Sequence, residues 1–281
     1  MFFHRKELQY HASPQSPDPV YAKKLQEILG GQFGEISVAM QYLFQGWNTR
    51  GNEKYKDMLM DIGTEELAHI EMITTMIARL LDKAPVKDQE EAAQNPIIAA
   101  ALGGMNPQHA IVSGLGAMPV NSTGVPWNAG YIVASGNLIA DFRANLNAES
   151  QGRLQVARLY EMTDDPGVRE MLSFLAARDT MHQNQWIAAL KELEEKEGIV
   201  VPGTFGSDRE AKEFSYSFMN CSQGTESKAG SWASGPSIDG KGTFEYVENP
   251  EPHAEAPILE PAPLYMHSTL PDDMKKMPFN E

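Results

Sequence analysis

Residues 59–80, LMDIGTEELAHIEMITTMIARL, decide how the chain folds. Counted in alternating steps of three and four, Leu59, Ile62, Glu66, His69, Ile73, Met76 and Leu80 fall on one stripe of a helix. The stripe is apolar except at Glu66 and His69. A buried carboxylate without a partner is costly, so it is neutralised, paired or bound to a cation. Glutamate and histidine three residues apart lie on one helical face and point the same way. That Glu-x-x-His spacing is used by two-metal carboxylate proteins, although one such motif alone also describes an ordinary surface pair.

Three further stretches carry the same intrusion. Asp18-Pro19 supplies a helix cap followed by a first-turn proline, and the pattern from there to about Thr49 is helical. Leu25, Ile28, Phe33, Ile36, Met40, Leu43, Phe44 and Trp47 give it broad apolar coverage. Gly30, Gly31 and Gly34 interrupt that coverage and imply a closely approaching backbone; Glu35 follows them, with Tyr42 further along the same face. A third helical pattern is predicted over 127–162, with a seam of Ile132, Ile139, Phe142, Leu146, Glu149, Val156 and Tyr160, and with Arg153 one turn beyond Glu149. Thr163-Asp164-Asp165-Pro166 then opens a fourth helix that ends at Gly198. Its seam reads Val168, Met171, Leu175, Asp179, His182, Trp186, Ala189 and Leu193, so Asp179 and His182 repeat the acid-x-x-His spacing.

The layout is helix, short turn, helix, long crossover (82–126), helix, short turn, helix. This predicts an all-α, ferritin-like four-helix bundle over 19–198, preceded by an N-terminal arm at 1–18. A short helical piece is expected inside the crossover near Glu90 to Ala101. Residues 199–281 are rich in Gly, Ser, Pro and acids yet keep Phe205, Phe214, Tyr216, Phe218, Trp232, Phe244, Tyr246 and Tyr265. A disordered tail is poor in aromatics, so this stretch reads as an ordered, mostly non-helical C-terminal arm packing on a neighbouring subunit.

One acid or acid–histidine set on each of four seams would repel itself if buried without a cation. Glu35, Glu66, His69, Glu149, Asp179 and His182 therefore read as a site for two divalent ions. Oxygen and nitrogen donors suit manganese or iron, and the lone Cys221 excludes thiolate-rich zinc or iron–sulfur sites. The remaining histidines, His4, His11, His109, His253 and His267, have no acid at ligand spacing and read as surface or locally hydrogen-bonded groups.

Composition narrows the rest. The formal net charge of -15, from 38 acidic and 23 basic residues, disfavours nucleic acid and anionic membranes as partners. No apolar run long enough to span a bilayer is visible, and the opening MFFHRKELQYHASPQSPDP lacks the apolar core of a secretory signal. With a single cysteine, these features point to a soluble protein of a reducing compartment, the cytoplasm.

The chain resembles the manganese catalases, non-haem enzymes that disproportionate hydrogen peroxide. The resemblance rests on HRKELQY, DPVYAKKLQEILGGQFGE, TEELAHIEM, NLNAES and RDTMHQNQW, and is closest to bacillary, enterobacterial and spore-coat-related members. It implies that Glu66 bridges two manganese ions, that Glu35 and His69 ligate one, and that Glu149 and His182 ligate the other. It makes Tyr42 a hydrogen-bond partner that tunes the cluster, and Asp179 the acid that shuttles protons. Two positions depart from the family pattern. Asp179 stands where many members have glutamate, and Ala148 where some have an arginine, for which Arg153 is a candidate substitute.

Some members use calcium in assembly. Here Asp57 and Asp61, with Asn220, Ser222 and Gly224 of the C-terminal arm, match that pattern of hard oxygen donors. A homo-oligomer, a hexamer by the same analogy, is implied, with the protein cytoplasmic or spore-associated. Two other readings stand beside the catalase: a di-iron ferroxidase or iron-handling protein, and a non-catalytic spore-coat structural protein.

Overall fold

A computed structural model describes residues 3–82, 106–203, 205–206, 208–260, 262–263 and 266. The helical piece expected near 90–101, Tyr265 and His267 lie outside the described residues. Helix α1 (Pro19–Gly30) opens as the sequence predicts, with the Asp18 side chain accepting from the Tyr21 amide at 2.9 Å. Helices α2 (Glu35–Asn48) and α3 (Glu53–Leu81) follow. A five-residue helix α4 (Pro107–Ile111) lies in the crossover, and α5 (Leu138–Glu161) and α6 (Pro166–Glu197) complete the bundle. Short turns make α2–α3 and α5–α6 antiparallel hairpins.

Two boundaries differ from the sequence reading. The helix expected over 19–49 is broken at 31–34. A methyl group on Gly30 would lie 2.5 Å from the Val120 carbonyl oxygen, because the crossover backbone passes directly against it. Gln26 holds that backbone in place, donating to the carbonyls of Met118 and Val120 at 2.6 and 2.8 Å. Phe44 and Trp47 lie on the outer face of α2, 43% and 48% exposed rather than part of the core, while Tyr42, Leu43, Gln45 and Gly46 are buried.

The helix expected from Trp127 begins only at Leu138. Apart from a single 3-10 turn at Ala129–Tyr131, residues 127–137 run as irregular backbone whose polar groups are satisfied elsewhere. The Val133 amide donates to Gln41 of α2 at 2.8 Å, and Gln45 donates to the Val133 carbonyl at 2.7 Å. Helix α5 then starts on an Asn137 cap, so Ile132 precedes the helix whose seam it was assigned to.

The remaining seams pack as read. One apolar cluster joins Leu25 and Ile28 of α1, Met72, Ile73, Met76 and Leu80 of α3, Val156 of α5, and Val168, Met171 and Leu175 of α6. A second joins Val38 and Tyr42 of α2, Leu59 and Ile62 of α3, Ile139 and Phe142 of α5, and Trp186 and Leu193 of α6. On α3, α5 and α6 the residues Glu66, His69, Glu149, Asp179 and His182 fall between the two clusters. The bundle therefore encloses a polar layer with oil above and below it, which shields that layer from bulk water.

The N-terminal arm at residues 3–18 forms no helix or strand among its described residues, yet it is firmly seated. Ala12 is buried, Tyr10 stacks on Phe174 at 4.4 Å, and the amides of Gln15 and Ser16 donate to Asp165. The second carboxylate oxygen of Asp165 caps α6 through the amides of Gly167 and Val168. Among the described residues, no helix is long and apolar enough to cross a membrane.

The chain divides into two compact units, Met1–Thr204 and Phe205–Glu281. Taken by itself, the second holds a small sheet in the order β1-β3-β2, from Ser217–Met219 (β1), Gly235–Pro236 (β2) and Thr243–Val247 (β3). Strand β1 pairs with β3 in parallel, strand β2 in antiparallel. Apart from Met266, its described helical content is one 3-10 turn at Glu226–Ala229, in keeping with the non-helical arm read from the sequence.

Candidate metal centre

Glu35 is the first residue of α2, placed there by the glycine break and set at a helix N-terminus that favours negative charge. Glu66 and His69 project from α3, Glu149 from α5, and Asp179 and His182 from α6. All six are buried; Glu66 is 2% exposed.

Glu66 is the hub. One of its oxygens lies 2.6 Å from His69 Nδ1 and the other 2.8 Å from His182 Nδ1. Glu35 approaches His69 Nδ1 at 3.6 Å, and Glu149 approaches His182 Nδ1 at 3.5 Å. Two donor triads result, Glu35–Glu66–His69 and Glu66–Glu149–His182, each with ligand atoms within 4.8 Å of one another. Tyr42, also buried, donates to Glu149 at 2.6 Å.

The electrostatics of this layer are in conflict. Burial, reinforced by the charge of Glu66, pushes the Glu35 and Glu149 carboxyls above the usual carboxylate range. Burial together with Glu149 and Glu66 pushes Asp179 up to about 8. Burial alone would lower the two histidines, but the surrounding carboxylates win and pull His182 up to about 12 and His69 well above its ordinary value. Glu66 stays ionised against its own burial because both imidazoles face it. Such a layer demands positive charge.

Unpartnered atoms mark where that charge belongs. His182 Nδ1 makes no hydrogen bond of acceptable geometry although carboxylate oxygens crowd it, and Asp179 Oδ2 is buried without a partner. A divalent ion in each triad would give His182 Nδ1 a partner and neutralise the acids, so the residues fit a two-ion centre. A cavity of about 10 Å³ opens beside it, walled by Glu35, Glu149 and Asp179 together with Ala148 and Gly152.

A family profile described as manganese containing catalase matches residues 1–281. The chain belongs to the manganese catalases. A manganese catalase of Bacillus subtilis is 69% identical over 271 residues, 96% of this chain and 99% of that one. A manganese catalase of Lactiplantibacillus plantarum is 50% identical over 268 residues, 95% of this chain and 99% of that one. Among solved structures, KatB, a manganese catalase from Anabaena, superposes with a TM-score of 0.71 at 31% identity, covering 89% of this chain and all of that one. The fold is thus the ferritin-like fold of the manganese catalases.

Other sequence expectations for this manganese catalase fare differently. Arg153 does not reach the centre; its guanidinium donates to the Ala176 carbonyl. Asp57 and Asp61 are exposed on α3. Asn220, Ser222 and Gly224 lie in the second unit, where Asn220 accepts from the Ser222 amide and hydroxyl. His109 is no surface group: it is buried and faces Gln26 at 3.1 Å, across the contact between crossover and α1.

Sequence reasoning missed Glu65 and Arg178. Glu65 lies behind both histidines, with Oε2 at 3.1 Å from His182 Nε2 and Oε1 at 3.8 Å from His69 Nε2. Arg178 grips the same carboxylate with two nitrogens, at 2.6 and 3.1 Å. Glu65 sits one residue off the apolar seam, where a charged side chain normally means solvent. The usable signal was its adjacency to Glu66 together with an arginine next to Asp179.

Proposed function

We propose that this manganese catalase disproportionates hydrogen peroxide to water and dioxygen at two manganese ions held by the triads around Glu66. Glu66 would bridge the pair, Glu35 and His69 would hold one ion, and Glu149 and His182 the other. The carrying observation is that the two oxygens of one buried carboxylate face Nδ1 atoms from two different helices. When bound, manganese supplies the two-electron capacity that accepts electrons from one peroxide and returns them to another, so that 2 H2O2 become 2 H2O and O2.

The chain's own residues manage position and protons. The apolar clusters on either side exclude water and keep the donors fixed. Tyr42 holds Glu149 through its hydroxyl, and the phenol stays protonated because burial and the Glu149 charge push it well above its ordinary value. In the metal-free site, burial with Glu149 and Glu66 raises the Asp179 carboxyl to about 8, and its buried, unpartnered Oδ2 would give a proton to a departing oxygen and recover one from the next substrate.

Beyond the site, we assign residues 1–18 as an arm, 19–198 as the bundle and 199–281 as an arm that packs on a neighbouring copy in a closed homo-oligomer, a hexamer. Calcium bound by Asp57 and Asp61 with Asn220, Ser222 and Gly224 would stabilise that assembly. A cytoplasmic or spore-associated location is consistent with the lone, exposed Cys221.

Metal analysis and oxygen evolution on one purified sample test the reading. About two manganese per chain with oxygen release from peroxide and no haem absorption band are expected. Iron in place of manganese would support the ferroxidase reading, and a metal-replete protein that releases no oxygen would leave only a structural role.

A further inference from the structure

We infer that Glu65 is a positioning residue for both metal-facing histidines, locked in place by Arg178 and by Gln9 of the N-terminal arm. The inference rests on the two-manganese reading of the site. Glu65 presents one oxygen towards each imidazole on the side away from Glu66, so the two rings share a single backing carboxylate. Arg178 closes a two-nitrogen fork on it, and Gln9 Nε2 adds a third contact at 2.8 Å.

An ionised carboxylate accepts hydrogen bonds and donates none, so His182 must turn an Nε2–H towards Glu65 at 3.1 Å, while the buried His69 Nε2, at 3.8 Å and without a hydrogen-bond partner, faces the charge of the same carboxylate. The lone pair of His182 is then on Nδ1, aimed into the layer where Glu35, Glu66 and Glu149 converge. Backing of this kind orients a ligating imidazole and sets its tautomer. A surface salt bridge with Arg178 is the plain alternative, but such a pair has no need to face two buried rings. The arm reinforces the same assembly: Tyr10 stacks on Phe174, whose ring meets the edge of His69 at a centroid separation of 6.3 Å.

Glu65→Gln separates the two accounts. The amide keeps the shape but removes the charge that faces both rings and offers one oxygen, so either the His182 hydrogen bond is lost or an N–H donor is turned towards His69. Manganese-loaded wild type and variant are mixed with excess chelator, and metal release is followed over time with the electron paramagnetic resonance of the manganese pair. One ion of the variant should leave about 10–100-fold faster than in the wild type, with an altered pair signal. Arg178→Lys, which keeps charge but not the fork, should fall between the two, and Gln9→Ala should lie nearest the wild type. Release of both ions at the wild-type rate with an unchanged signal, in Glu65→Gln and Arg178→Lys alike, overturns the inference. A wild type that binds no manganese overturns the metal reading as well, so the two failures are distinguishable.

Discussion

His69 and His182 lie face to face on α3 and α6, ring centroids 5.9 Å apart and planes inclined by 26°. Their Nδ1 atoms address different oxygens of Glu66. On the proposed two-manganese reading, both rings share that one carboxylate. Glu66→Gln should lose both ions, and catalase activity should fall by more than the roughly 10–100-fold typical of removing an outer hydrogen-bond partner. Manganese content and oxygen release read the two effects, while a circular-dichroism spectrum like that of the wild type would show the bundle intact.

Tyr42→Phe isolates one hydrogen bond. The ring remains packed against Trp186 at a centroid distance of 5.1 Å, so the core loses no volume. What disappears is the donor to Glu149, an interaction with a charged group worth about 1.5–3 kcal/mol. The variant should keep its manganese and lose roughly 10–100-fold in kcat, measured by initial rates of oxygen evolution.

Asp179 gives the metal-free protein a pH dependence of definite sign. Its carboxyl is raised from 3.8 to about 8 by burial and by Glu149 and Glu66, against the opposing influence of His69 and His182. The folded state therefore holds this proton more tightly than the unfolded chain does. The stabilisation is fully present below about pH 4 and is lost as pH rises through about 8. Chelator-treated wild type should lose Tm over that interval more steeply than chelator-treated Asp179→Asn, and parallel curves would refute the assignment.

Ala148 tests the opening beside the centre. With Gly152 it walls the cavity of about 10 Å³ that reaches Glu35, Glu149 and Asp179. Ala148→Leu should fill that space, at a stability cost of about 1–3 kcal/mol from overpacking. Activity should drop by up to about 100-fold with manganese content unchanged, since the donors themselves are untouched.

Asp165 joins two tasks in one side chain, capping α6 with one oxygen and anchoring the arm at Gln15 and Ser16 with the other. Asp165→Ala should cost about 1–2 kcal/mol. Limited proteolysis should cut the arm faster in the variant than in the wild type.

The seams of α3 and α6 were legible in the sequence because burial follows helical spacing, and every residue assigned to them is buried. The convergence of Glu35, Glu66, His69, Glu149 and His182 on one buried layer was legible for the same reason: each is an ionisable group where oil is expected. The break at 31–34 and the late start of α5 were not. Both depend on tertiary partners, the Val120 backbone against Gly30 and the α2 glutamines holding Val133, and such partners leave no periodic trace. Glu65 escaped because its value comes from what stands behind the histidines, across a helix pair, and not from its own place on a stripe.

The glycines at the α1–α2 junction set stability against function. Replacing a helical glycine by alanine ordinarily gains about 1 kcal/mol, so an engineer seeking a tougher protein would turn to this stretch first. At Gly30 the added methyl would strike the crossover backbone. Healing the junction into one continuous rod would also deprive Glu35 of its place at the head of α2. A thermostability screen run without an activity readout would thus be drawn towards variants in which Glu35 has left the buried acid–histidine cluster.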